Sequence, residues 1–339
     1  MSHAKKLLMV AASSAIIVSA MSASLAMAQS PAASPGKAWN LTLIQGVKGD
    51  PFYVTMACGA QTEATALGVN LQVTGGDSWD ATVQTPVVDS VTAAHPDGVM
   101  IAPNDSKAML APLQRMNDAG IKVTFVDTTL DDTSFAQSVI TSDNLLGGKT
   151  AAQTLAGLIG DKGTVIVISV KPGISTTDAR VKGFNDEMAN HPNIKLLDIQ
   201  YDNDDPTVAT SITTTTLAAN PDLAGVFATN VQTAEGVATG LRQAGNTTVK
   251  VIAYDAGPKQ VEDLQNGIVQ GLVAQDPYTE GVEAVKQTVA ALNGGAVEKT
   301  VATQLAGITA ANITDPAIAK FLYKASCDTT PAASASTAP

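Results

Sequence analysis

Histidine, cysteine and aromatic residues are all scarce in this chain of 339 residues. It has three histidines; His3 lies in a stretch read below as a cleaved leader, and His95 and His191 each precede proline in loop-like segments, AAHPDG and ANHPNI. Neither reads as a general base. No zinc-ligand spacing, P-loop or G-x-S-x-G is present, which removes the common metal, nucleotide and acyl-transfer signatures. Basic residues are also few: Lys and Arg number 20 against 31 Asp and Glu, a net charge of −11. With no basic patch to release counterions, nucleic acid and anionic membranes are excluded as partners. The longest apolar stretch, Leu7 to Val18, is interrupted by serines and falls short of the ~20 residues that span a bilayer.

That stretch has another reading. Lys5 and Lys6 precede it, and Ala26-Met27-Ala28 supplies the small residues of a cleavage site. Residues 1–28 are expected to be a signal peptide cut after Ala28, which leaves 18 basic against 31 acidic residues. No cysteine follows the cut, so lipid anchoring there is not expected, and the product should be periplasmic. In that oxidising compartment an even count of two cysteines, Cys58 and Cys327, suggests one disulfide. The alternative is a buried thiol at Cys58 and a free one at Cys327.

Apolar residues make up 45% and charged residues 15%, ample for large cores. Short apolar runs alternate with helical periodicity. Strands are expected at 41–45, 71–74, 98–102, 122–126 and 138–141, with helices at 53–67, 80–94 and 106–118. A second series places helices at 144–160, 176–190, 207–219, 232–244 and 258–266, with strands at 164–170, 195–200, 225–229, 250–254 and 269–274. Another helix is expected at 279–293 and an apolar segment at 301–308. About 30 residues per step is the spacing of βαβ units. The class is therefore α/β: two doubly wound parallel-sheet lobes joined by a hinge. One lobe should comprise 38–142 plus 276–310 and the other 143–275. Residues 311–327 are read as a segment tied to the first lobe, and 328–339 as a disordered tail.

Ligands in such sheets sit beyond the carboxyl ends of the strands. The first strand-to-helix loop carries Asp50, Phe52 and Tyr53, a carboxylate beside two rings in a chain only 4% aromatic. Carboxylates accept hydrogen bonds from hydroxyls, and rings cover the C–H face of a sugar. Other strand ends repeat the polar theme: Asp127, Asp204 and Asp205, Asn230, Asp255 and Gln275, with Asp178 at a helix start. Each alone suits a helix N-cap; their recurrence in both series suggests a site. With only Lys48, Lys171 and Arg180 nearby, such a site should prefer a neutral polyhydroxylated molecule. Asp127 and Asp255 are also the pair to consider if the protein were a glycoside hydrolase.

GDPFY (49–53), GVMIAPNDS (98–106), VDTT (126–129), SDNLLGG (142–148), ARVKGF (179–184), VFATN (226–230), YDAGP (254–258) and AQDP (274–277) together resemble periplasmic sugar-binding proteins of the ribose-binding type, the substrate-binding components of ABC importers. The resemblance covers about 40 to 310. It implies a type I periplasmic binding protein fold, no enzymatic activity, no cofactor and no metal. It also implies a monomer whose partners are a small neutral sugar or polyol and a membrane permease. The ligand contacts it implies are Asp50, Phe52, Tyr53, Asp127, Asp178, Asp204, Asn230, Asp255 and Gln275, with Asn203 or Asp205 as alternatives to Asp204; Thr128 is added to the expected contacts and Arg180 to the candidates. Thr128 and Asp178 stand where the ribose binders have arginines, and Arg180 matches a neighbouring, more structural arginine. An aromatic is missing near 203–204; Trp79 is a candidate replacement, or it packs against its helix. These departures point away from ribose, toward a linear sugar alcohol or another monosaccharide. A sensory sugar-binding protein serving a chemoreceptor or kinase, and a secreted carbohydrate-active enzyme, are the other readings.

Overall fold

A computed structural model describes residues 38–327. The expected leader and the tail at 328–339 lie outside the described residues. The first half of the alternation runs β1 (Asn40–Gln45), α1 (Pro51–Leu67), β2 (Asn70–Gly75), α2 (Ala81–Ala94), β3 (Gly98–Ile101), α3 (Leu110–Asp118), β4 (Lys122–Val126) and β5 (Val139–Ser142). There follow α4 (Asn144–Leu158), β6 (Gly163–Ser169), α5 (Ser175–Met188), β7 (Ile194–Leu196), β8 (Gln200–Tyr201), α6 (Pro206–Ala219), β9 (Leu223–Ala228) and α7 (Val231–Gln243). The last group is β10 (Lys250–Tyr254), α8 (Pro258–Gln265), β11 (Gly271–Ala274), α9 (Pro277–Leu292), β12 (Thr300–Thr303) and β13 (Ala306–Ile308).

Two sheets result. The first has the order β12-β5-β4-β3-β1-β2, every pairing parallel. The second runs β13-β11-β10-β9-β6-β7, with β8 also beside β6; only β13 is antiparallel. The side chains of β1 explain why helices cover both faces. Leu41 and Leu43 are buried in one cluster with Met56 of α1 and Val285 of α9. Ile44 faces the other way, into a cluster with Val88 of α2 and Leu113 of α3. In the second sheet Ile166 and Ile168 join Val237 of α7, while Val165 and Val167 join Leu155 of α4 and Phe184 of α5. Because strand side chains alternate, a strand apolar at every position needs a partner layer on each side. Each fully buried Leu or Ile contributes roughly 1.5–3 kcal/mol.

Among the described residues the chain passes between the sheets three times: after β5, after β11, and between β12 and β13. The last passage falls beyond 300, where the sequence leaves a third crossing open, and ahead of the expected boundary at 310. Residues 306–308 pair with β11, Leu272 opposite Ile308, and so belong with the second sheet. The apolar run 301–308 carries no mark of this split; Gln304 and Leu305 leave one sheet for the other. The expected strand 195–200 is likewise two short strands, β7 and β8, both on β6. The helix expected from 106 begins at Leu110, because Asp105 caps the amides of Lys107 and Ala108 in a separate turn.

Helices α1 and α9 cross closely. A Cβ on Gly59 would lie 2.0 Å from the Tyr278 carbonyl oxygen, and one on Gly281 2.0 Å from that of Met56. The two helices thus pack backbone to backbone over the same face of the first sheet. Gly281→Ala is expected to cost about 1–3 kcal/mol through overpacking. That is a fall of about 2–10 °C in the unfolding midpoint. An unchanged midpoint would show that the two helices part without penalty.

Candidate functional site

In the first sheet β1 lies between β2 and β3, and in the second β6 lies between β7 and β9, so each sheet has a switch point where its connections diverge. The carboxyl ends of both sheets open on one cavity of about 50 Å³. A water needs ~10–15 Å³ by the same measure, so the space suits a single small ring or short chain. The lobes are closed over it. Ser106 N–H donates to Gly173 O (2.9 Å), Thr129 N–H to the Ser175 hydroxyl (2.9 Å) and Lys171 Nζ to Trp79 O (3.2 Å), each across the cleft.

From the first lobe come Asp50, Phe52, Tyr53, Trp79 and Asp127. Asp50 is the N-cap of α1, accepting from Phe52 N–H at 2.7 Å, and still faces the cavity. The capping and binding readings of this aspartate are therefore compatible. Phe52 meets Tyr53 edge-on at 5.1 Å, and Tyr53 stacks with Trp79 at 5.9 Å. Trp79 fits there because Gly46 has no side chain; a Cβ would lie 2.0 Å from the indole. The Tyr53 hydroxyl donates to Asp127 Oδ2 at 2.6 Å.

The second lobe and its border supply Arg180, Asp204, Asn230, Asp255 and Gln275. Asn230 caps α7 through Oδ1 and donates Nδ2–H to Asp204 at 2.6 Å. Asp255 Oδ1 accepts from Gln275 Nε2 and from the Tyr323 hydroxyl, both at 2.8 Å. Arg180 is 3% exposed. Its Nε donates to Asn144, its Nη1 to Thr229 O, and its guanidinium lies 3.8 Å over the Tyr254 ring and 3.9 Å from Asp255 Oδ2. Of the three cations expected nearby, Lys48, Lys171 and Arg180, Arg180 lines the cavity, fully buried. Three of the aspartates, Asp127, Asp204 and Asp255, have left-handed backbones, φ 63°, 64° and 78°. Asp tolerates that region better than most residues, yet three such residues around one cavity are strain held by the surrounding structure.

Four carboxylates crowd this space. Burial, then the charges of Asp204 and Asp255, push Asp50 up to about 8. Burial raises Asp204 to about 7 and Asp127 to about 6, the latter held down by Arg180 and Tyr53. Asp255 is raised by burial against the opposing pull of Arg180. The Gln275 Oε1 atom is buried with no partner among the described residues, as is the Trp79 indole nitrogen.

Three expected contacts lie elsewhere. The Thr128 hydroxyl turns back to Pro103 O at 2.8 Å. Asp178 is in the first turn of α5 but does not line the cavity; it is exposed and accepts from Gly173 N–H at 2.8 Å. On that helix Thr176, Thr177 and Arg180 face the cavity, as i, i+3 and i, i+4 spacing requires. Asn203 borders an outer depression with Lys48 and Asp77 rather than the cavity. Reading the sequence missed Thr176 and Thr177, and the apolar lining of Val47, Val170, Ile174 and Val231. The helical spacing from Arg180 was the signal that would have found the two threonines. Cys58 and Cys327 are joined by a disulfide.

Residues 41–296 match the family model of the periplasmic binding protein domain, and the chain belongs to that family. It is similar to the ribose import binding protein of Salmonella typhimurium, 31% identical over 76% of this chain and 86% of that one. A D-apiose import binding protein of Paraburkholderia graminis is 26% identical over 76% of this chain and 83% of its own length. Among solved structures, an ABC transporter solute-binding protein of Agrobacterium vitis with bound α-D-tagatopyranose has a TM-score of 0.83 and 41% identity, covering 84% of this chain and 99% of that one. A carbohydrate transporter solute-binding protein of Agrobacterium radiobacter in complex with D-arabinose gives 0.81 and 28%, covering 85% and 99%.

Proposed function

We propose that this protein captures one neutral monosaccharide or sugar alcohol between its lobes in the periplasm and presents the closed form to the permease of an ABC importer. One lobe is then 38–142 with 276–303, the other 143–275 with 306–308. The observation that carries the reading is the meeting of four acceptor carboxylates, two amide side chains, one arginine and a three-ring wall on one cavity between the lobes. Carboxylates and amides suit hydroxyls, and Phe52, Tyr53 and Trp79 suit a C–H face. Hydrogen bonds to charged groups contribute roughly 1.5–3 kcal/mol each. Four or five, less ordering costs, give micromolar or tighter affinity, about −8 kcal/mol. A ligand that touches both lobes only when they are closed shifts the population toward closure. The relatives that bind D-tagatose and D-arabinose support the substrate class, and their transport roles support the permease as partner.

The test is a thermal-shift screen followed by calorimetry. D-tagatose, D-arabinose, D-ribose, inositols and hexitols are the neutral set, with D-glucuronate as the anionic control. At about 1,000-fold the Kd a ligand stabilises by about 4 kcal/mol, a rise of several degrees. At least one neutral compound is expected to do this and glucuronate is not. Silence across the neutral set would end the reading, and turnover of a glycoside by the purified protein would replace it with an enzyme.

A further inference from the structure

Residues 309–327, the described segment after β13, are not part of either sheet, yet they reach the cavity wall from behind. Residues 309–327 run across the hinge, with Lys320 Nζ donating to Gln304 (2.7 Å) and to Asp276 (3.2 Å). Beyond a short 3₁₀ turn at Ala319–Phe321 the strap touches both lobes at once. On the first-lobe side, Lys324 N–H donates to the Thr55 hydroxyl of α1 at 2.7 Å, and Cys327 is bonded to Cys58 of the same helix. The Tyr323 ring meets Phe52 edge-on at 5.7 Å. On the second-lobe side, Tyr323 N–H donates to Ala256 O at 3.0 Å. Its hydroxyl donates to Asp255 Oδ1 and accepts from Gln275 N–H at 3.1 Å.

We infer that Tyr323 is a positioning residue for the ligand acceptor Asp255, and that the Cys58–Cys327 bond holds it there. The backbone of Asp255 is left-handed, φ 78°. Such a residue keeps its geometry only where its surroundings over-determine it. The clamp on Asp255 and Ala256 comes from one residue of the strap, 5% exposed and planted 68 positions away from Asp255 in the chain. A carboxylate with Oδ1 occupied by Tyr323 and Gln275 has Oδ2 left to face Arg180 and a ligand hydroxyl. Tyr323 is suited to donate at any physiological pH. Burial and the neighbouring Asp255 hold its hydroxyl well above the usual tyrosine range. Besides Tyr323, the groups that bear on Asp255 are Arg180, the Gln275 amide and the Val231 N–H, which favour its charge, Asp50, Asp127 and Asp204, which oppose it, and the neutral Tyr254 hydroxyl.

This inference rests on the proposed sugar site, so its test has a readout that needs no sugar. Tyr323→Phe keeps the ring against Phe52 and removes only the hydroxyl. In sugar-free protein labelled with ¹³C-carboxyl aspartate, with Asp255→Asn to assign the resonance, Tyr323→Phe is expected to move the Asp255 titration upward. A general loss of stability would not do that. The Cys58→Ser/Cys327→Ser double variant is expected to move it in the same direction. With D-tagatose as probe, Tyr323→Phe is expected to weaken binding at least tenfold, chiefly by faster release. An Asp255 titration unmoved by Tyr323→Phe overturns the positioning role, whether or not sugar binds. An upward shift in Tyr323→Phe but none in the double cysteine variant removes the disulfide from the device and leaves Tyr323. If the parent protein binds no sugar but the titration moves, the proposed function fails and the support of Asp255 by Tyr323 stands.

Discussion

Asp255→Ala and Asp127→Ala are each expected to weaken sugar binding tenfold or more, at least about 1.4 kcal/mol. The larger loss should fall on Asp255. Its Oδ1 takes hydrogen bonds from Gln275 and Tyr323, and Arg180 stands at its Oδ2. Removing the carboxylate therefore loses an acceptor for the ligand and leaves a buried guanidinium with less compensation. Breaking a buried charge pair from one side costs roughly 3–5 kcal/mol. Asp127 has fewer obligations, the Tyr53 hydroxyl and the field of Arg180. Both positions have positive φ, where alanine is itself strained by about 1–2 kcal/mol. Asparagine at each position separates the two effects, since it tolerates that backbone and keeps the shape while removing the charge. Calorimetry with the best neutral ligand decides the matter; unchanged affinity in both alanine variants would take these aspartates out of the site.

The second large effect is a dependence of the sugar-free protein on pH. Asp50, Asp204 and Asp127 rise from 3.8 to about 8, about 7 and about 6 in the closed cavity. A carboxyl whose pKa is higher in the folded, closed state binds more protons there than in the unfolded chain. Its contribution is fully present below the unfolded value near 3.8 and is lost as pH rises through the folded value. The window thus runs from about pH 4 to about pH 8. For Asp50, keeping the proton at neutral pH costs on the order of 4 kcal/mol. The sugar-free lobes can avoid that cost by opening. The expected result is a more compact particle by small-angle scattering, and a higher unfolding midpoint, near pH 5 than near pH 8. Ligand hydroxyls that donate to the ionised groups should remove the difference, and Asp50→Asn should flatten it. A scattering profile and midpoint independent of pH would show that these carboxylates are not enclosed in solution.

That same crowding explains selectivity. A cavity with four acidic groups and one arginine disfavours an anion and has little to offer a molecule without hydroxyls. Above the raised pKa values closure without a ligand carries the cost of burying these groups, so a ligand that donates to them favours the closed form.

Most of the frame was written in local pattern. Apolar runs such as LTLI, GVMI, VTFV and VIAY alternate with helical spacing, and this predicts buried strands with a helix between each pair. Because such strands end where the apolar run ends, the polar residue that follows is placed at the mouth of the sheet. Asp127, Asn230, Asp255 and Gln275 were legible for that reason, and Asp50 with its two rings for the loop it occupies. What local pattern could not decide was direction. Asp178 and Arg180 are two residues apart on one helix, and only the packing of α5 on α4 turns Arg180 inward and Asp178 out. A third crossing beyond 300 was open to it, but not the split of 301–308 between two sheets, nor the return of Tyr323 to buttress Asp255 from behind. Hydrophobic periodicity reports what each residue's near neighbours need. Which helix face meets the cleft, and which distant segment covers a strained aspartate, depends on contacts between parts of the chain that only the folded core brings together.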